Sequence, residues 1–187
     1  RHAGAARPNS PTTPSTNTFH TDVTDSTGDA VASPGVPNPP DLVHATVDVS
    51  GEAVTMSIQF AAGTFDRQST RLSIELDTDQ NPATGIVGAA GLGIDYVLDM
   101  WAPTNQTQVQ QAMPAACAAG GSCYADVGAV ALSVGVNSMA TVPLAMLGNA
   151  SGRMNFRVFA YVSPPATTPT PVTDVMPDLN LAPAHVP

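Results

Sequence analysis

The sequence predicts an all-β protein: an antiparallel β-sandwich of about eight strands with jelly-roll topology, a closed barrel being the main rival. Three observations lead there. Apolar residues recur at every second position in many short runs, turn residues separate those runs, and only one segment carries a helix signal.

The elements follow in order. "LVHATVDV" sets Val43, Ala45, Val47 and Val49 against His44, Thr46 and Asp48. "GE" (Gly51, Glu52) turns the chain, and "AVTMSIQF" then alternates Val54, Met56, Ile58 and Phe60 with polar partners, so the pair reads as a hairpin with one buried face. Further strands are expected at 70–76, 93–101, 107–113, 127–134, 137–142 and 153–162. "PLAMLG" (143–148), opened by Pro143 and closed by Gly148, reads as a short helical turn. Residues 1–18 are a Pro/Ser/Thr-rich arm without periodicity, and "SPPATTPTP" (163–171) is similar. The expected organisation is therefore an arm at 1–18, a domain at 19–162, and a C-terminal segment at 163–187 that packs back on it.

At 187 residues the chain has room for one sizeable core. Charged residues make up 11% and hydrophobic ones 43%, which suits a globular chain. All six cations are Arg, and thirteen of the fifteen acids are Asp. Short, stiff Asp is what turns and calcium loops use, whereas surface solvation accepts Glu as readily. A net charge of −9 without a basic stripe argues against a nucleic-acid partner. The longest apolar run, Val127 to Val136, is far below the ~20 residues of a membrane helix, so no membrane insertion is expected. A chain starting at Arg1 rather than Met is compatible with a processed, secreted protein.

Cys117 and Cys123 enclose "AAGGS", and the four histidines are scattered singly, so zinc lacks a ligand set. A local disulfide and an oxidising compartment are expected; reduced thiols in a cytosolic loop are the alternative.

"LDTDQNPATG" (76–85) places Asp77, Asp79 and Asn81 at alternate positions behind Leu72, Ile74 and Leu76. Oxygens at that spacing wrap a hard cation, calcium above all, although a polar turn uses the same residues. The segment starts like an EF-hand loop but has Pro82 sixth and Gly88 twelfth, where that loop needs Gly and Glu. The missing carboxylate is assigned to Asp95, across the Gly-rich loop "IVGAAGLG", with the Thr84 hydroxyl or the Ala83 carbonyl completing the shell. In "GIDYVLDMW", Ile94, Tyr96, Leu98 and Met100 share one face, which leaves Asp95, Asp99 and Trp101 together outside the core.

A strand ending in "LDTDQNPATG", a Gly-rich loop and "GIDYVLDM", framed by "TDVTDSTGDA", "PDLVHATVDV" and "TDVMPD", resembles a calcium-associated β-sandwich domain of secreted and surface-attached bacterial proteins. That group is similar in plan to carbohydrate-binding modules, DOMON-like sandwiches and peptidase accessory domains, and the resemblance spans about residues 20 to 178. It implies that the chain ends meet. Asp22, Asp25, Asp29 and Asp41 would then approach Asp174 and Asp178 as a second cation site, with turn capping as the alternative.

G-x-S-x-G, H-E-x-x-H and Cys/His pairings are all missing, and although carboxylate pairs such as Asp77/Asp79 or Asp95/Asp99 would in principle serve a glycosidase, 5% aromatics and one Trp supply little for the aromatic-lined cleft such an enzyme needs, so no enzymatic activity is expected. The expectation is a non-catalytic, calcium-binding structural or assembly module of the cell exterior, partnered by copies of itself. The alternatives are a carbohydrate-binding module, with Trp101 and Asp99 contacting polysaccharide, or an accessory domain of a secreted hydrolase.

Overall fold

The computed structural model describes residues 18–32, 38–148, 151–162 and 172–187. The arm at 1–17 and the segment 163–171 lie outside them, as does the side chain of Trp101. The described chain is all-β, with every strand pair antiparallel.

The strands are β1 (Thr18–Thr24), β2 (Leu42–Ser50), β3 (Ala53–Phe60), β4 (Thr70–Asp77), β5 (Ile86–Val87), β6 (Gly93–Ile94), β7 (Tyr96–Trp101), β8 (Gln106–Ala112), β9 (Tyr124–Ser133), β10 (Asn137–Pro143), β11 (Met154–Val162), β12 (Val172–Met176) and β13 (Ala184–Val186). Eleven of them form one sheet in the order β1-β2-β3-β10-β9-β8-β7-β4-β11-β12, with β13 beside β12 on β11; β5 and β6 make a small separate ribbon. The sheet curls into a near-closed barrel, bringing β13 against β1 and β12 against β2.

This corrects the expected eight-strand sandwich. A sandwich needs two separate sheets, but β9 bonds β8 along Gln106–Ala112 and β10 at Leu132 and Ser133, so a single strand carries the hydrogen bonding from one half to the other. Four of the additional strands were hidden for physical reasons. Strand β1 is an edge strand whose alternation carries only Phe19 and Val23, β5 has two residues, and β12 and β13 sit in a Pro-rich tail where pairing to β11 substitutes for an apolar pattern.

The hairpin β2–β3 turns at Gly51 and Glu52 and buries Ala45, Val47, Val49, Val54, Met56, Ile58 and Phe60. Its face continues through Leu72, Ile74 and Leu76 of β4, Leu98 and Met100 of β7, and Met154, Phe156 and Val158 of β11, as one contiguous core. Two phases differ from expectation. A bulge at Val43 puts Leu42 inside in its place. The strand at 93–101 breaks at Asp95, so Tyr96, Leu98 and Met100 face the core while Ile94 joins Leu92 and Val97 in a small outer cluster. "PLAMLG" is a 3-10 turn over Leu144–Leu147, stopped by Gly148. A one-turn helix, α1 (Pro114–Ala118), carries Cys117, which is disulfide-bonded to Cys123.

Candidate metal centre

Strand β4 delivers Asp77 to the barrel rim with no solvent exposure. Its Oδ1 accepts the Asn81 backbone N–H at 3.0 Å, and its Oδ2 accepts the Asn155 amide of β11 at 3.2 Å. Asp79 lies in the following turn and accepts the same Asn81 N–H at 2.9 Å and the Thr84 hydroxyl at 2.9 Å. Asp95 arrives from the break between β6 and β7, where its Oδ2 accepts the Thr78 N–H at 2.9 Å and the Thr78 hydroxyl at 3.1 Å. One carboxylate oxygen from each of Asp77, Asp79 and Asp95 lies within 4.8 Å of the others.

The turn takes this shape for backbone reasons. Gly85 has φ +69° and lies so close to the Ile94 carbonyl that a Cβ would collide with it. Gly93 fits under the carbonyls of Asn81 and Thr84 in the same way, so the Gly-rich loop folds back onto the acidic turn. Gln80 adopts φ +58°, held by its amide donating to the Val186 carbonyl of β13 at 2.9 Å. Asn81 turns its Oδ1 onto the Ala83 N–H at 3.1 Å, and Thr84 donates within the loop, so these two serve the turn directly.

Burial pushes the Asp77 carboxyl up; the Asn155 and Asn81 donors oppose this, and the Asp79 and Asp95 carboxylates add to it. Three acids whose oxygens approach so closely repel one another unless a proton or a cation lies among them. A cleft of about 270 Å³, lined by Thr78, Asp79, Gly85, Asp95 and Tyr96 among others, opens beside the group.

The segment after β1, the entry to β2 and the region of β12 also bring acids together. Asp25, Asp29 and Asp178 form one close group and Asp29, Asp41 and Asp174 another, Asp29 being common to both. Asp22 is elsewhere, on the outer face of β1, where it bonds His20 at 2.9 Å and also His44. His20 further bonds Asp48 at 2.6 Å, and these carboxylates raise its pKa, Asp48 the more. Asp99 is held by Arg71 through two bonds of 2.7 Å, a forked ion pair between β7 and β4.

A buried polar strip on the outer face was not anticipated. Glu75 of β4 faces Arg157 of β11 in register, with Tyr124 and Tyr161 near the Glu75 charge. Burial pushes the Glu75 carboxyl up to about 6 against the attraction of Arg157. Arg157 is fully buried and donates to the carbonyls of Pro177, Asp178 and Leu181, each at 2.8 Å. A charged residue inside the largely apolar run "MNFRVFAYV" was the available signal.

No protein-family model matches the chain, and no similar curated protein is found.

Proposed function

We propose that this domain is a non-catalytic, calcium-binding module of the cell exterior, stiffened by an ion at Asp77, Asp79 and Asp95. The observation that supports the reading is the convergence of these three carboxylates from a strand end, a turn and a strand break, with Asp77 wholly buried. Oxygen-only donors in irregular geometry suit calcium, which accepts 6–8 oxygens, better than zinc, which takes nitrogen and sulfur, or magnesium, which demands an octahedron. The disulfide fits an oxidising compartment, and no helix of the described residues is long and apolar enough to cross a membrane. A structural or assembly role, with copies of the chain as partners, is favoured over sugar binding. Among the described residues, Tyr96 is buried in the barrel and Asp99 is engaged by Arg71, which removes two of the groups a polysaccharide would use.

Amide spectra during a calcium titration test the site. The Thr78 and Asn81 N–H groups donate to the cluster and should shift saturably. Asp95→Asn keeps an acceptor for Thr78 and should abolish the response, while Asp126→Asn, on β9, should leave it intact. A dissociation constant of roughly 10⁻⁴ to 10⁻³ M would add about 0.4–1.4 kcal/mol at millimolar calcium, or about 1–5 °C in melting temperature. If those amides stay still, the segment is a polar turn and the reading fails. Electron microscopy with and without calcium tests assembly, and ordered filaments or sheets are the expected result.

A further inference from the structure

The barrel closes where its two ends meet, and side chains make that closure. The Leu42 N–H at the start of β2 donates to Asp174 Oδ2 of β12 at 2.6 Å, and the Thr173 hydroxyl donates to the Pro40 carbonyl at 3.2 Å. The segment after β1 adds a strap, its Val31 N–H donating to the Thr173 carbonyl at 2.7 Å. At this seam stand Asp25 and Asp29 from the strap, Asp41 from the entry to β2, and Asp174 and Asp178 from β12 and the turn after it.

Two atoms in the cluster lack a partner. Asp41 is 3% exposed; its Oδ2 accepts the Gly28 N–H at 2.7 Å, but its Oδ1 is shut off from solvent with no donor. The same holds for Oδ2 of Asp25. Burying a carboxylate oxygen without a donor is costly unless a proton or a metal ion satisfies it. The ion pairs of His20 and His44 with aspartates of β1 and β2, and of Arg71 with Asp99, lie elsewhere, and Arg157, which feels the Asp178 charge, donates to carbonyls. A cleft of about 460 Å³ lined by Asp29, Asp174 and Asp178 leads solvent to the cluster.

We propose that the seam binds a second divalent cation, calcium by its all-oxygen donor set, on Asp29, Asp41 and Asp174, with Asp25 and Asp178 beside it, and that this ion fastens the strap and β12 to β2. The ion converts the repulsion among five acids into a tie between chain segments more than 130 residues apart in sequence, as the Leu42–Asp174 bond measures. This site goes beyond the Asp77 reading and does not depend on it, because the two share no residue.

The full chain, isotope-labelled and freed of metal, is titrated with calcium chloride. The Gly28, Leu42 and Val175 amides, all donors to seam carboxylates, should shift together and saturably, and the Val31 amide should exchange more slowly with solvent. Asp29→Asn, at an exposed position, should weaken the seam titration at least tenfold and leave Thr78 and Asn81 responding as in the wild type. Asp41→Asn, if it folds, should do the same, and Asp95→Asn should spare the seam. Seam amides that stay still up to about 10 mM calcium, above the weakest extracellular sites, overturn the proposal. So does a seam titration that is unchanged in Asp29→Asn. Either result leaves the Thr78 and Asn81 signals to judge the other site.

Discussion

Arg157→Met isolates one of the least expected features of this protein. The substitution keeps most of the apolar stem of a fully buried residue while deleting its charge and three hydrogen bonds to the carbonyls of Pro177, Asp178 and Leu181. Those carbonyls shape the turn between β12 and β13, so the loss falls on the segment that completes the barrel. At about 1–1.5 kcal/mol for each of the three bonds, the change should cost about 3–4.5 kcal/mol. Two terms pull in opposite directions: Met removes the cost of burying a guanidinium, and it deprives Glu75 of the attraction that opposes its burial. Urea denaturation at pH 7 reads the net, expected as a fall in midpoint at unchanged slope, equivalent to roughly 10 °C in melting temperature. Hydrogen exchange should show the Leu181 amide, bonded to the Asp178 carbonyl, opening first. A loss below about 1 kcal/mol would refute the reasoning, since burying the charge would then cancel everything its bonds contribute.

Phe60→Ala should cost about 3–5 kcal/mol, because the ring is 1% exposed and packs on Phe65 with centroids 5.3 Å apart; a loss within the range of surface substitutions would mean that β3 presents its other face to the core. Glu75 supplies a pH dependence. Its carboxyl is raised from 4.5 to about 6, with Arg157 and Tyr161 of β11 and Tyr124 of β9 facing it, so between those values the folded state binds more protons than the unfolded one. Stability should therefore fall as pH rises through the window and stay lower above it, by up to about 2 kcal/mol in full and about 1 kcal/mol after screening by partial exposure. Glu75→Gln should recover that amount at pH 8 and change nothing at pH 4. Equal gains at both pH values would count against burial as the cause. Asp174 shares the upward shift to about 6, which is why the comparison is between variant and wild type at each pH.

The strands were legible where one face is buried and the other wet. Period-two alternation placed Val54, Met56, Ile58 and Phe60 inside, and the same logic found most of β4, β7, β10 and β11. It failed where alternation is not what makes a strand. Strand β1 pairs along all of β2 with a pattern of exposed and half-buried residues, and β13 joins β11 with three residues after a proline-rich stretch. At Asp95 the backbone accepts from the Ala112 N–H and donates to the Leu76 carbonyl while the strand phase slips, and nothing in "GIDYVLDMW" announces that slip.

The acidic turn was legible as a local pattern because its spacing is short-range: Asp77 and Asp79 lie two residues apart, and the Gly-rich loop that follows packs back on the turn at Gly85 and Gly93, where a Cβ would collide. What sequence by itself determined here is therefore composition, alternation and the short-range geometry of turns. Only the tertiary structure decided whether the strands form two sheets or one, which of the terminal aspartates meet, and that Asp22 turns away to histidine while Asp41 is sealed inside. The physical reason is that sheet closure depends on hydrogen bonds between segments far apart in the chain, whose register no local pattern encodes. A carboxylate's partners across such a seam are set by that register rather than by its neighbours in sequence.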